Sequence, residues 1–135
     1  MQCPERNGEG IQILNYTPGA EYSAHYDFFA YDVKGSLKHL ATGGQRVATL
    51  IMYLNEVEQG GETAFPELGM RVVPKKGSAV YFEYCNSLGQ LDKHTLHAGL
   101  PVIKGEKWIA TKWMRQQIYS QHPQHPQHPA GSEYG

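Results

Sequence analysis

Cysteine is scarce: Cys3 and Cys85 are the only two in 135 residues. That excludes a disulfide framework and a four-thiolate metal site, and it sets a reducing, cytoplasmic location as the expectation. No apolar run approaches the roughly 18–20 residues of a membrane span. The N-terminus also lacks the basic-then-apolar order of a secretory signal, so no membrane partner is expected. Excess charge of either sign is missing too, with 12 Lys and Arg against 13 Asp and Glu. Attraction to nucleic acid rests on summed positive charge, so no nucleic-acid partner is expected. What is present is globular: apolar residues are 40% and charged residues 19%, in a length that suits one domain.

Short strand-like segments fill the middle of the chain. Residues 11–16 are apolar and aromatic and end at the turn signal Thr17-Pro18-Gly19. Residues 21–29 alternate, and 46–54 (RVATLIMYL) form a continuous run rich in β-branched and aromatic types. Residues 70–73, 78–84, 102–103 and 108–114 complete the set, with Pro74 to Gly77 and Lys104 to Glu106 as turns between them. Many short strands and no convincing amphipathic helix imply an all-β fold, an antiparallel sandwich or barrel of jelly-roll type. The longest irregular piece, Tyr31 to Gln45, is a candidate mobile lid. Residues 1–10 read as a polar, irregular segment and 11–118 as the domain. Residues 119–135 read as a disordered tail built on a His-Pro-Gln repeat, with His122, His125 and His128 as loose metal binders at most.

Chemistry concentrates at His25-Tyr26-Asp27. On a strand, residues i and i+2 share a face, so an imidazole and a carboxylate would converge while Tyr26 faces away. A third ligand is needed, and His94 and His97 are the candidates. Two His and one carboxylate leave three positions open on a metal, the donor set of non-haem Fe(II) oxygenases; a structural zinc site would close with four protein ligands. Lys107 follows ten residues after His97, across the Lys104-Gly105 turn. A lysine pointing into an apolar barrel is costly unless an anion meets it, and a dicarboxylate cosubstrate is such an anion.

Three motifs then carry a resemblance: QILNYTPGAEYSAHYDFF, GGQRVATLIMYLNEVEQGGETAFP and HTLHAGLPVIKGEKWIATKW. From Gly10 to Gln116 the chain resembles the catalytic domain of prolyl 4-hydroxylases, members of the 2-oxoglutarate and Fe(II)-dependent dioxygenases. The resemblance implies a double-stranded β-helix lacking most of the family's N-terminal supporting helices. It implies iron held by His25, Asp27 and His97, with His94 facing away, and Lys107 on the distal carboxylate of 2-oxoglutarate. Tyr53 and Thr111 would assist that carboxylate, with Tyr16 lining the same pocket. Tyr22, Arg46 and Trp113 match residues that line the peptide groove; proline-rich peptides adopt the preformed extended helix that aromatic grooves read. The implied reaction hydroxylates peptidyl proline with O2 and yields succinate and CO2, with L-ascorbate as the family's rescuer of oxidised iron. The partner is then a proline-containing peptide or protein. The alternatives are the same chemistry on another protein side chain or a free amino acid, or an inactive jelly-roll binding module.

Overall fold

Alternation shapes the longest core strand. Within residues 46–53, Val47, Thr49, Ile51 and Tyr53 are buried, while Leu50 and Met52 on the opposite face are only half-buried. Such a strand has two distinct faces and needs a second layer over one of them. The computed structural model, which describes residues 4–120, supplies it with ten strands. They are β1 (Gln12–Tyr16), β2 (Tyr22–His25), β3 (Arg46–Tyr53), β4 (Gln59–Gly60) and β5 (Thr63–Phe65), then β6 (Met70–Val72), β7 (Ala79–Glu83), β8 (His97–Gly99), β9 (Val102–Lys104) and β10 (Lys107–Arg115).

Two four-stranded antiparallel sheets face each other, in the orders β1-β10-β3-β7 and β2-β8-β5-β6, with β4 and β9 paired separately. This is the double-stranded β-helix, a jelly roll. The β1–β10 register sets Tyr16 opposite Lys107 and Gln12 opposite Thr111; β10 pairs with β3 so that Thr111 faces Ile51 and Ile109 faces Tyr53. Period-2 alternation then sends Lys107, Ile109, Thr111 and Trp113 to one face, and all four line one cavity between the layers. The core falls into two apolar clusters: Ile51, Tyr53 and Ile109, of which Ile51 and Ile109 line the cavity, and Val47, Ala48, Tyr84 and Cys85. Gly60, at φ +83°, shows why glycine ends β4. A Cβ there would lie 2.4 Å from the Pro101 carbonyl oxygen.

Several expectations shift. Strand character over 21–29 narrows to 22–25, so His25 ends β2 and Asp27 lies beyond it in a bend. The backbone turns there because Asp27 is drawn inward by bonds to β3 and β10, described below. Strands β4, β5 and β8 were not expected, being two or three residues long, with a glycine in β4 and in β8. The stretch 31–45 is not wholly irregular: Ser36–Leu40 forms a one-turn helix, α1, too short to show periodicity in sequence. Its end is anchored by Gln45, fully buried, whose side chain accepts from Phe29 N and Arg46 N and donates to the Phe29 carbonyl.

Residues 4–10, the described part of the first segment, are less irregular than expected. Glu5–Asn7 form a 3-10 turn, Gly8 bridges Met114, and Glu9 donates its N–H to the Trp113 carbonyl, so the segment runs along β10. Tyr119 and Ser120, expected in the tail, donate backbone N–H groups to Arg6 and Thr42. The His-Pro-Gln repeat itself, with His122, His125 and His128, lies outside the described residues. Among the described residues no helix is long and apolar enough to cross a membrane.

Candidate metal centre

His25, Asp27 and His97 meet although they come from the end of β2, the bend after it and the start of β8. Antiparallel pairing puts His25 directly opposite His97. Each imidazole is aimed by its own backbone: His25 Nδ1 donates to the Ser23 carbonyl at 2.7 Å, and His97 Nδ1 donates to the Thr95 carbonyl at 2.8 Å. With Nδ1 carrying the hydrogen, Nε2 carries the lone pair. Both Nε2 atoms point at the same oxygen, Asp27 Oδ1, at 3.2 and 3.3 Å. The three ligand atoms lie within 4.8 Å of one another. Two lone pairs and a carboxylate oxygen repel one another unless a cation or shared protons lie among them. This donor set, with its other positions unclaimed by protein, fits a non-haem divalent metal.

The electrostatics agree. Burial pushes the Asp27 carboxyl up, but hydrogen bonds involving His25, His97 and Thr49 outweigh it and hold the group well below the usual carboxylate range. Burial pulls His25 down, yet its bonds to Asp27 and the Ser23 carbonyl leave it raised. These same atoms therefore hold protons well, and metal binding must displace them. Phe82 and Phe65 pack against His97, with ring centroids 4.9 and 5.6 Å away, and Tyr22 lies 4.0 Å from His25.

Lys107 occupies the same cavity of about 280 Å³, together with Tyr16, Tyr22, Thr63, Gly99 and Thr111. It is 3% exposed, and its Nζ sits 5.1 Å above the Tyr16 ring. No hydrogen bond or ion pair of this ammonium with another described residue is found. Burial lowers its pKa to about 8, with the Glu62 charge acting in the other direction. Tyr16, beneath it, is pushed up by burial and by Tyr22. A buried cation without an anion is the counterpart of an absent acid.

The remaining expected residues divide. Thr111 is buried and lines the cavity, as do Tyr16 and Tyr22. Tyr53 is buried behind it, its hydroxyl 2.6 Å from Thr63 Oγ1. Arg46 is spent mostly inside the protein: Nε and Nη2 donate to Glu9 at 2.7 and 3.0 Å, Nη1 donates to the Asp27 carbonyl at 3.3 Å, and the guanidinium stacks 4.0 Å from the Trp113 ring. Trp113 lines the cavity but gives its indole N–H to Asp27 Oδ2 at 3.1 Å. His94 is exposed and paired with Asp92, turned away from the centre. His39 stacks on Phe29.

Glu9, Thr49, Thr63 and Tyr84 escaped sequence reading. Glu9 is buried between Arg46 and Arg115, accepting from both; nothing local in the sequence marks it. Thr49 did leave a signal, a hydroxyl on the inward face of an otherwise apolar strand.

Comparison with known proteins matches this geometry. The sequence model of the 2OG-Fe(II) oxygenase superfamily aligns with residues 11–115. Prolyl 4-hydroxylase 1 of Arabidopsis thaliana is 44% identical over 132 residues, covering 88% of this chain and 45% of that protein. Human prolyl 4-hydroxylase subunit alpha-1 is 41% identical over 109 residues, covering 81% of this chain and 20% of that one. The chain thus spans less than half the length of these curated relatives. The viral collagen prolyl hydroxylase of Paramecium Bursaria Chlorella virus-1, solved with 2OG, superposes with a TM-score of 0.70 at 42% identity, over 81% of this chain and 59% of that one. Fold, the convergent His-Asp-His donors and a match running from β1 to the end of β10 all lead to one conclusion: this chain belongs to the 2OG-Fe(II) oxygenase superfamily.

Proposed function

We propose that the chain is a 2-oxoglutarate- and Fe(II)-dependent dioxygenase that hydroxylates peptidyl proline. The observation that carries the reading is the pairing of two unmet needs within one cavity. At one end, electron pairs from His25, Asp27 and His97 face one another and call for a cation. At the other, the buried Lys107 ammonium calls for an anion.

His25, Asp27 and His97 are the residues that would hold iron, and Lys107 the one that would pair with the distal carboxylate of 2-oxoglutarate. Bound iron and its cosubstrate supply the oxidising chemistry, with 2-oxoglutarate losing CO2 to become succinate. The chain's own residues do the placing. The Ser23 and Thr95 carbonyls fix the imidazole tautomers, and Ile51, Ile109 and Phe82 keep the neighbourhood apolar. Thr111 and Tyr16 flank the lysine end. Tyr22, half exposed beside His25, stands where an incoming peptide would meet the cavity. Proline as the substrate is supported by relatives named as prolyl hydroxylases in a plant, a human and a virus.

The test is succinate formation with a panel of proline-rich peptides, each scored by mass for one added oxygen atom. Peptide-dependent succinate and a +16 Da peptide are expected. Succinate without oxidation of any proline peptide, but with oxidation of another side chain, would sink the proline assignment. With Fe(II) and 2-oxoglutarate under nitrogen, a visible charge-transfer band is expected; its absence from folded protein would leave only a binding module.

A further inference from the structure

Asp27 offers two oxygens, and the protein treats them differently. Oδ1 faces the two imidazoles. Oδ2 faces away and takes two donors: Thr49 Oγ1 at 2.7 Å and Trp113 Nε1 at 3.1 Å. Thr49 has one hydrogen, and its hydroxyl donates it to Asp27 Oδ2. The Tyr84 hydroxyl, 2.8 Å from Thr49 Oγ1, must then donate to Thr49. The order Tyr84 to Thr49 to Asp27 Oδ2 is fixed by proton count alone. Thr49 and Tyr84 are 0% and 2% exposed, so no bulk water competes for these bonds.

We propose that Thr49, backed by Tyr84 and joined by Trp113, clamps Oδ2 and so makes Asp27 a one-oxygen ligand. Thr49 and Tyr84 are positioning residues; they act through Asp27. The inference rests on the metal reading above and extends it. A free carboxylate beside a metal can swing to chelate with both oxygens and occupy a coordination position. With Oδ2 tied to β3 and β10, the carboxylate cannot rotate without breaking one buried and one half-buried bond, and positions for cosubstrate and dioxygen stay open. Outer partners of this kind typically govern metal affinity.

The test compares T49V, T49S and Y84F with the parent and with H97A, by Co(II) titration read in the visible spectrum and by thermal melting. Expected for T49V is a roughly 10- to 100-fold loss of Co(II) affinity, with T49S restoring the parent value. Y84F should weaken binding in the same direction and by less, since Thr49 keeps its bond to Asp27. Under nitrogen with Fe(II), the charge-transfer band of T49V should require more 2-oxoglutarate even at saturating metal. A T49V protein that melts lower yet binds Co(II) within twofold of the parent, and forms the band at the parent's 2-oxoglutarate concentration, would make Thr49 a mere packing residue and overturn the clamp. If instead the parent binds Co(II) no better than H97A, the metal reading itself fails and takes the clamp with it.

Discussion

The two ends of the cavity are built on opposite plans. At the metal end nearly every polar atom is already engaged: both Nδ1 atoms on carbonyls, Oδ2 on two donors, the Asp27 carbonyl on Arg46. At the lysine end the decisive atom, Lys107 Nζ, lies over the face of Tyr16 and has no hydrogen bond or ion pair among the described residues. One end is held ready at the protein's own expense; the other is left in deficit until a ligand arrives. The contrast teaches that geometry is needed where a metal must be held with open positions, whereas a single charge suffices where an anion must be gripped.

The largest effect should come from breaking the prepared end. His97→Ala removes a ligand outright, so Co(II) or Fe(II) affinity should fall by more than the roughly 10–100-fold that follows loss of a ligand's hydrogen-bond partner. Metal titration measures it. Retained binding would show that Asp27 and His25 suffice, and the two-imidazole reading would fall.

Next comes the end in deficit. Lys107→Met should cost roughly 2–5 kcal/mol of 2-oxoglutarate binding, the usual consequence of truncating one member of a buried charge pair, with metal affinity retained. The same change should stabilise the ligand-free protein by up to ~3 kcal/mol, because a pKa lowered to about 8 records how strongly burial disfavours the ammonium. Opposite signs in the two measurements are the signature of a cation kept for function; destabilisation by Lys107→Met would instead make it a structural residue.

The pH dependence sharpens the same contrast. Lys107 is charged below about 8 in the free protein, burial lowering its pKa and the Glu62 charge acting to raise it; the Tyr16 ring lies beneath its Nζ. 2-Oxoglutarate affinity should therefore be about tenfold weaker at pH 9 than at pH 7. Stability should move the other way. Unfolded, the lysine keeps its proton up to its ordinary value of 10.5, so between about 8 and 10.5 unfolding takes up a proton and the folded state gains as pH rises. Lys107→Arg should flatten the affinity decline in isothermal titrations across this range, since a guanidinium keeps its charge.

Much of this plan was legible before folding, and unevenly. Residues 46–54 and 108–114 announced β3 and β10 because long β-branched runs need no partner to be recognised, and these strands carry Thr49, Tyr53, Lys107 and Thr111. His25 and Asp27 were legible as a pair, though for a reason that did not hold: Asp27 is off the strand, and its bonds to Thr49 and Trp113, not period 2, turn it inward. β8 was invisible because three residues containing a glycine have no measurable periodicity. His97 was singled out from His94 by resemblance alone. Glu9 illustrates the harder limit. A charged residue in a polar segment reads as solvated, and its burial depends on Arg46 and Arg115, which lie 37 and 106 positions away. Only the folded chain brings those charges together.

The smallest expected effect tests where the boundary between the two ends runs. Tyr53 was read as a group that touches the cosubstrate, yet it is 1% exposed and its hydroxyl lies 2.6 Å from Thr63 Oγ1, while Thr63 itself lines the cavity. With Tyr53 as donor, Thr63 keeps its own hydrogen free to turn toward an anion near Lys107. Tyr53→Phe should then cost about 1 kcal/mol of stability, the worth of one neutral hydrogen bond, and change 2-oxoglutarate affinity less than about fivefold. Thr63→Val should reverse that ranking, weakening 2-oxoglutarate more than Tyr53→Phe does in calorimetric titration. If Tyr53→Phe proves the more damaging for affinity, the phenol turns into the cavity when the anion binds, and the lysine end contains two groups that wait for ligand instead of one.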